Sequence, residues 1–196
     1  MNYLGHAVLS FDDAELLTGN MIADHVKGKL ALKNFPEGVQ NGILLHRKID
    51  QFTDEHPATA RAKLLFRSDY GLYAGALMDS LYDHFLANDA KYFSSAKDLL
   101  DFTGNLYQQL NTQRRWFPPR FAALYEYMER DNWLYGYRNL AGVRQALTGL
   151  SRRAAYMPDP AKAFEIFIAH YYQLAQCYYE MMDDMARYVK VELRKE

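Results

Sequence analysis

The chain has 196 residues, 49% of them hydrophobic, a net charge of −1 and one cysteine, Cys177. This length suits a single domain over 1–196, the neutral balance gives no general pull toward nucleic acid or membrane, and one cysteine excludes an internal disulfide and fits a reducing cytoplasm. The start, MNYLGHAVLSFDD, lacks the basic head and apolar core of a signal peptide, and no run approaches the roughly 18 apolar residues of a membrane span.

Helical periodicity runs nearly throughout, without the sustained alternation of a strand, so the expected fold class is all-α, a single-domain helical bundle. A first helix over 3–9 carries His6. Asp12, with Glu15 three residues on, reads as the capping box of a second helix that reaches Lys27 and stops at Gly28. Leu17, Met21 and Asp24 share a face of it, which puts Asp24 where a core residue belongs. Asn34-Phe35-Pro36 opens a third helix that ends before Pro57. It carries His46, Asp50 and Asp54. His46 and Asp50 lie about 40° apart on one face, between Val39, Ile43 and Ile49. A carboxylate among such neighbours is costly unless its charge is compensated, and a metal ion compensates a neutral imidazole and a carboxylate together.

A fourth helix over 58–69 is basic outside, with Arg61, Lys63 and Arg67. A fifth, about 72–88, carries Asp79 and Asp83 at i, i+4, where like charges repel and call for a cation. His84 turns about 100° from Asp83. Ser95 with Asp98 starts a helix running to Gln113. Arg114-Arg115-Trp116-Phe117-Pro118-Pro119-Arg120-Phe121 is a break that either displays cationic and aromatic side chains or plugs the core with its tryptophan. Helices over 121–130 and 131–150, a polar loop over Ser151–Pro160 with Arg152 and Arg153, and one long helix from Asp159-Pro160 past Tyr188 complete the chain.

Asp24, His46, Asp50, Asp79, Asp83 and His84 form the candidate ligand pool, with His6 an outlier. Each alone is more often a cap or a satisfied core residue. Imidazole and carboxylate without thiolate suit Mn, Fe, Zn or Mg more than a structural zinc site. A cation so held acidifies water and polarises a phosphoryl oxygen, which indicates metal-assisted phosphoester hydrolysis. There is no GxSxG, P-loop, GxGxxG or HExxH, and no Glu-x-x-His pair of a ferritin-like bundle.

Met1-Asn2-Tyr3-Leu4 with His6, Gly19-Asn20-Met21-Ile22-Ala23-Asp24, His46-Arg47-Lys48-Ile49-Asp50, Thr53-Asp54, Asp83-His84-Phe85-Leu86, Pro118-Pro119-Arg120-Phe121 and Trp133 occur in that order. In these the chain resembles the bacterial acyl carrier protein phosphodiesterases. The resemblance implies an all-helical, HD-domain-like enzyme that uses a divalent cation, usually manganese. Such an enzyme removes 4′-phosphopantetheine from a serine of holo acyl carrier protein by a metal-activated water. The HD pattern of adjacent His-Asp is reversed here in Asp83-His84, and His46 precedes Arg47. On this reading Asp24, His46, Asp83 and His84 are the expected metal ligands, and Asp50, Asp79 and Arg47 the catalytic residues. His6 and Asp54 support them. Arg61, Lys63 and Arg67, or Arg114, Arg115 and Arg120, would dock the acidic carrier protein. Two alternatives stand beside it: a metal-dependent hydrolase of a nucleotide or other small phosphodiester, and a non-catalytic helical module.

Overall fold

The structure, a computed structural model, describes residues 1–154 and 156–193, without the side chain of Lys29. No strand occurs among the described residues. The helices are α1 (Tyr3–Val8), α2 (Ala14–Ile22), α3 (Lys29–Leu32), α4 (Glu37–Glu55), α5 (Pro57–Tyr70) and α6 (Ala74–Ala87). They continue as α7 (Ala96–Thr112), α8 (Pro119–Arg130), α9 (Trp133–Gly136), α10 (Leu140–Arg153), α11 (Pro160–Ala169) and α12 (Tyr171–Glu192). Short 3₁₀ turns follow α2 (Ala23–His25), precede α6 (Gly71–Tyr73) and precede α8 (Arg114–Trp116). No helix of the described residues is long and apolar enough to cross a membrane.

Several starts follow from local chemistry. Ser95 and Asp98 form the expected reciprocal capping box of α7. Pro57, Pro119 and Pro160 each sit in a first turn, where the missing N–H costs nothing. Other expectations need correction. α2 is capped by Asp13, which accepts from the N–H groups of Glu15 and Leu16, while Asp12 takes a left-handed φ of 61°. α2 tightens to 3₁₀ after Ile22, where the Asn20 carbonyl accepts from His46 Nδ1 at 2.8 Å. Asp24 therefore stands on a turn, not a helix. Gly28, at φ +83°, opens α3. The stretch read as one helix over 131–150 begins with Asn132 in the left-handed region and divides into α9 and α10. α10 continues through Arg153, so the polar loop starts later; residue 155 lies outside the described residues. The last helix divides at His170 into α11 and α12.

A core of leucine, methionine, isoleucine and aromatic side chains runs through the bundle, with Tyr82, Tyr125, Tyr178, Phe66, Phe121 and Phe167 fully buried. α2 and α4 meet backbone to backbone. A Cβ on Gly19 would stand 2.0 Å from the Val39 carbonyl oxygen, and one on Gly42 would stand 2.2 Å from that of Leu16. Only glycine at both positions lets the two backbones meet. That approach brings Asn20 and Asp24 beside His46, one helical turn beyond Gly42.

Candidate metal centre

Four elements converge at the site. α1 supplies His6, α2 and its 3₁₀ turn supply Asn20 and Asp24, and α4 supplies His46 and Asp50; α6 holds the start of α1 through Asp79 and Asp83. The His6 and His46 rings stack at 3.9 Å and 14°. His46 Nε2 lies 3.0 Å from Asp50 Oδ2 and 3.3 Å from Asp24 Oδ1. His6 Nε2 lies 3.1 Å from Asp50 Oδ1 and 3.0 Å from the Met1 carbonyl oxygen. Ligand atoms of His6, His46 and Asp50 all fall within 4.8 Å of one another, a group able to hold a metal ion.

The hydrogen bonds favour a cation there. A carbonyl can only accept, so His46 Nδ1 carries the proton it donates to Asn20 and, in the neutral ring, leaves the lone pair on Nε2. That Nε2 is buried and, close as the carboxylates are, neither approaches with hydrogen-bond geometry. A backbone carbonyl fixing one nitrogen while the other aims at carboxylates is how metal-ligating histidines are held. His6 Nδ1 is likewise buried without a partner. Both imidazoles, with Asp50, fit a divalent cation bound by nitrogen and oxygen.

The charges interlock. Burial disfavours the His46 cation, but Asp24 and Asp50 outweigh it and push His46 up to about 9. Burial, then the neighbouring His46, pushes His6 down to about 4, so the stacked rings do not both carry charge. Burial alone would raise Asp50, yet His46 and His6 hold it well below the usual carboxylate range. Asp24, 69% exposed, is lowered by the neighbouring His46.

The structure does not bring Asp83 and His84 to this centre. Asp83 is fully buried, and its oxygens accept from the N–H groups of Leu4 at 2.8 Å and Gly5 at 3.0 Å, the first turn of α1. Burial pushes its carboxyl up to about 7, against those two donors. His84 points elsewhere, with Nδ1 donating to the Tyr137 carbonyl at 2.7 Å and Nε2 3.0 Å from the Tyr171 hydroxyl. The adjacent pair thus serves α1 and α9–α12 separately. In their place stand Asp50 and His6. His6 lies forty positions from His46 in the chain, and no spacing in the sequence joins them.

Asp79 is paired with the Met1 ammonium at 2.7 Å, and Asp50 lies 3.4 Å from the same nitrogen. Burial raises Asp79. Burial also works against the ammonium, yet Asp79 and Asp50 push it up to about 10. Arg47 reaches the Val26 carbonyl at 3.4 Å. Asp54 is exposed and pairs with Lys63 at 2.7 Å, away from the imidazoles. Arg61 pairs with Glu180, and Arg114 with Glu126 and Glu129 at 2.6 Å each. Those three basic residues of the expected docking faces are neutralised within the chain. Arg115 lies over Trp116 at 5.2 Å, and Arg67 and Arg120 form no ion pair among the described residues.

Comparison with known proteins identifies relatives over most of the chain. A family model described as acyl carrier protein phosphodiesterase matches residues 1–185. Proteins named acyl carrier protein phosphodiesterase from Salmonella paratyphi A (strain ATCC 9150 / SARB42), Salmonella agona (strain SL483) and Salmonella newport (strain SL254) are each 31% identical over 185 residues. Each match covers 94% of this chain and 95% of the relative. No solved structure matches.

Proposed function

The chain belongs to the acyl carrier protein phosphodiesterase family, and from that premise we propose that it hydrolyses the phosphodiester joining 4′-phosphopantetheine to a serine of holo acyl carrier protein. Water adds to phosphorus, the bond from phosphorus to the serine oxygen breaks, and that oxygen leaves with a proton. The products are apo carrier protein and 4′-phosphopantetheine. Beyond family membership, one observation carries this reading: the buried, partnerless Nε2 of His46 faces two carboxylates beside a second imidazole.

His6, His46 and Asp50 would hold one divalent cation, and manganese suits this donor set without thiolate. When bound, such a cation offsets charge on phosphoryl oxygens and acidifies water. The chain's own groups do the rest. The Asn20 carbonyl sets the tautomer of His46. Asp24, the exposed carboxylate of the group, takes the proton of the attacking water. Asp79 balances the ammonium so that Asp50 keeps both oxygens toward the imidazoles. Arg47, held at the Val26 carbonyl beside the Asp24 turn, steadies that turn.

The test is intact-mass spectrometry of holo carrier protein incubated with the enzyme and Mn²⁺. Loss of the prosthetic group with wild type, and its retention with His46→Ala, is expected. Holo protein that stays intact with wild type across a Mn²⁺ titration overturns the reading.

A further inference from the structure

A cavity of about 710 Å³ lies between the start of α1 and helices α8, α9 and α10. Sites that take a small molecule enclose roughly 300–1,000 Å³. Leu124, Trp133 and Ala146 give this one apolar wall, and Asn2, Gln145 and Thr148 place amide and hydroxyl groups in it. Gly149 also lines it, and a Cβ there meets nothing within 4 Å, so the space beside α10 is open.

The cavity and the metal centre share α1. Asn2 and Tyr3 line it, and His6 follows on the same helix. Asn2 Nδ2 donates to the Tyr137 hydroxyl at 2.8 Å, fixing α1 against the segment between α9 and α10. The half-buried Tyr3 lines the cavity about one turn before His6 of the centre.

Charge gives the second argument. Arg144, Arg152 and Arg153 line the cavity, are exposed, and form no ion pair among the described residues. The one acid lining it, Asp131, is engaged by Arg130 at 2.8 Å. This differs from Arg61, Lys63 and Arg114, whose charges are met within the chain.

We propose that this cavity receives the pantetheine arm of the carrier-protein substrate, led past Tyr3 from the metal centre, with Arg152 and Arg153 turned to the acidic carrier protein. The proposal rests on the phosphodiesterase reading above. The arm is uncharged beyond its phosphate. It carries two amides, a geminal dimethyl group and a terminal thiol, so it needs apolar wall interrupted by a few hydrogen-bonding groups. The arginines then draw an anionic partner to the entrance and contribute mainly to encounter.

Gly149→Phe tests this, because the new ring enters open space and replaces glycine within a helix. The probe is pantetheine itself, titrated calorimetrically into the full metal-free chain, where no turnover is involved. Wild type is expected to bind it and Gly149→Phe to bind at least 10-fold more weakly, with kcat/KM on holo carrier protein falling by at least 10-fold. Pantetheine binding that is absent in wild type, or equal in both, overturns the proposal. A retained Mn²⁺-induced rise in Tm shows that the variant is folded. If it is not, the double variant Arg152→Glu with Arg153→Glu decides. Its KM for carrier protein is expected to rise several-fold and to lose much of its salt dependence; unchanged KM and salt dependence overturn the proposal. Wild type that binds pantetheine yet leaves holo carrier protein intact would refute the phosphodiesterase reading and not the cavity's affinity for the arm.

Discussion

Gly42→Ala is the sharpest test of how the centre is positioned. The added Cβ stands 2.2 Å from the Leu16 carbonyl oxygen, 2.8 Å from Gly19 Cα and 2.9 Å from the Asn20 nitrogen. Each is backbone, and the first is more than 1 Å inside van der Waals contact, so no rotamer change relieves it and α2 must move off α4. Overpacking of this kind costs about 1–3 kcal/mol, and backbone on the far side puts this case at about 3 kcal/mol. Alanine recovers about 1 kcal/mol over glycine within a helix. The net loss of about 2 kcal/mol corresponds to a fall in Tm of about 4–8 °C for a chain of this size. Separation also stretches the 2.8 Å bond from His46 Nδ1 to Asn20, and losing a bond that orients a ligand costs about 10–100-fold in metal affinity. Thermal unfolding and calorimetric Mn²⁺ titration read both effects. Gly104→Ala is the control: a Cβ there meets nothing within 4 Å, and the variant should gain about 0.5–1 kcal/mol. A Gly42→Ala protein that is stabilised like Gly104→Ala, with unaltered Mn²⁺ affinity, would refute the positioning by backbone contact.

Three further outcomes follow from the site. In metal-free protein His46 is raised to about 9, so its stabilising charge is complete below about pH 6.5 and lost as pH rises toward 9; urea unfolding should show that loss, and Mn²⁺ affinity should climb over the same window because the cation displaces a proton. A flat Mn²⁺ affinity from pH 6 to 9 contradicts it. Asp83→Ala leaves two buried N–H groups of α1 unpaired, at about 1–3 kcal/mol each, and urea denaturation should record the loss. Because burial pushes Asp83 up to about 7, the folded wild type keeps a proton that the unfolded chain releases near pH 4, so this group's contribution falls as pH rises from 4 to 7; Asp83→Ala should lack that component, and an identical slope counts against it. His84→Gln should leave the Mn²⁺ dissociation constant within about 2-fold, whereas His6→Ala and His46→Ala abolish the Mn²⁺-induced Tm rise; a His84→Gln protein that loses Mn²⁺ restores His84 as a ligand.

What the sequence made legible was local. The i, i+4 pair His46 and Asp50 shares a helix face and both residues reach the centre, and Ser95 with Asp98 caps α7 as their spacing requires. Asp24 also arrives, though from a 3₁₀ turn, because the His46 side chain, 26 positions on from Asn20, diverts the Asn20 carbonyl at the end of α2. That diversion is tertiary, as is the stacking of His6 on His46. The division at His170 carries no proline or glycine to mark it. The reach of α10 through Arg153 ran against a polar composition read as loop.

The two acids of α6 are satisfied by tertiary contacts that their spacing does not reveal. Asp79 and Asp83, one turn apart among apolar neighbours, do require positive charge, which a metal ion could supply. The fold answers with the beginning of α1 instead. Asp79 takes the Met1 ammonium at 2.7 Å, and Asp83 takes two N–H groups of the first turn, where unpaired donors and the helix dipole favour an anion. Neither acid is thereby idle in the centre's construction. Together they seat α1, and α1 carries His6 one turn later and Tyr3 at the cavity wall. A buried acid that demands a cation can therefore be met by a helix start, and what it then fixes is the position of the next side chain along that helix.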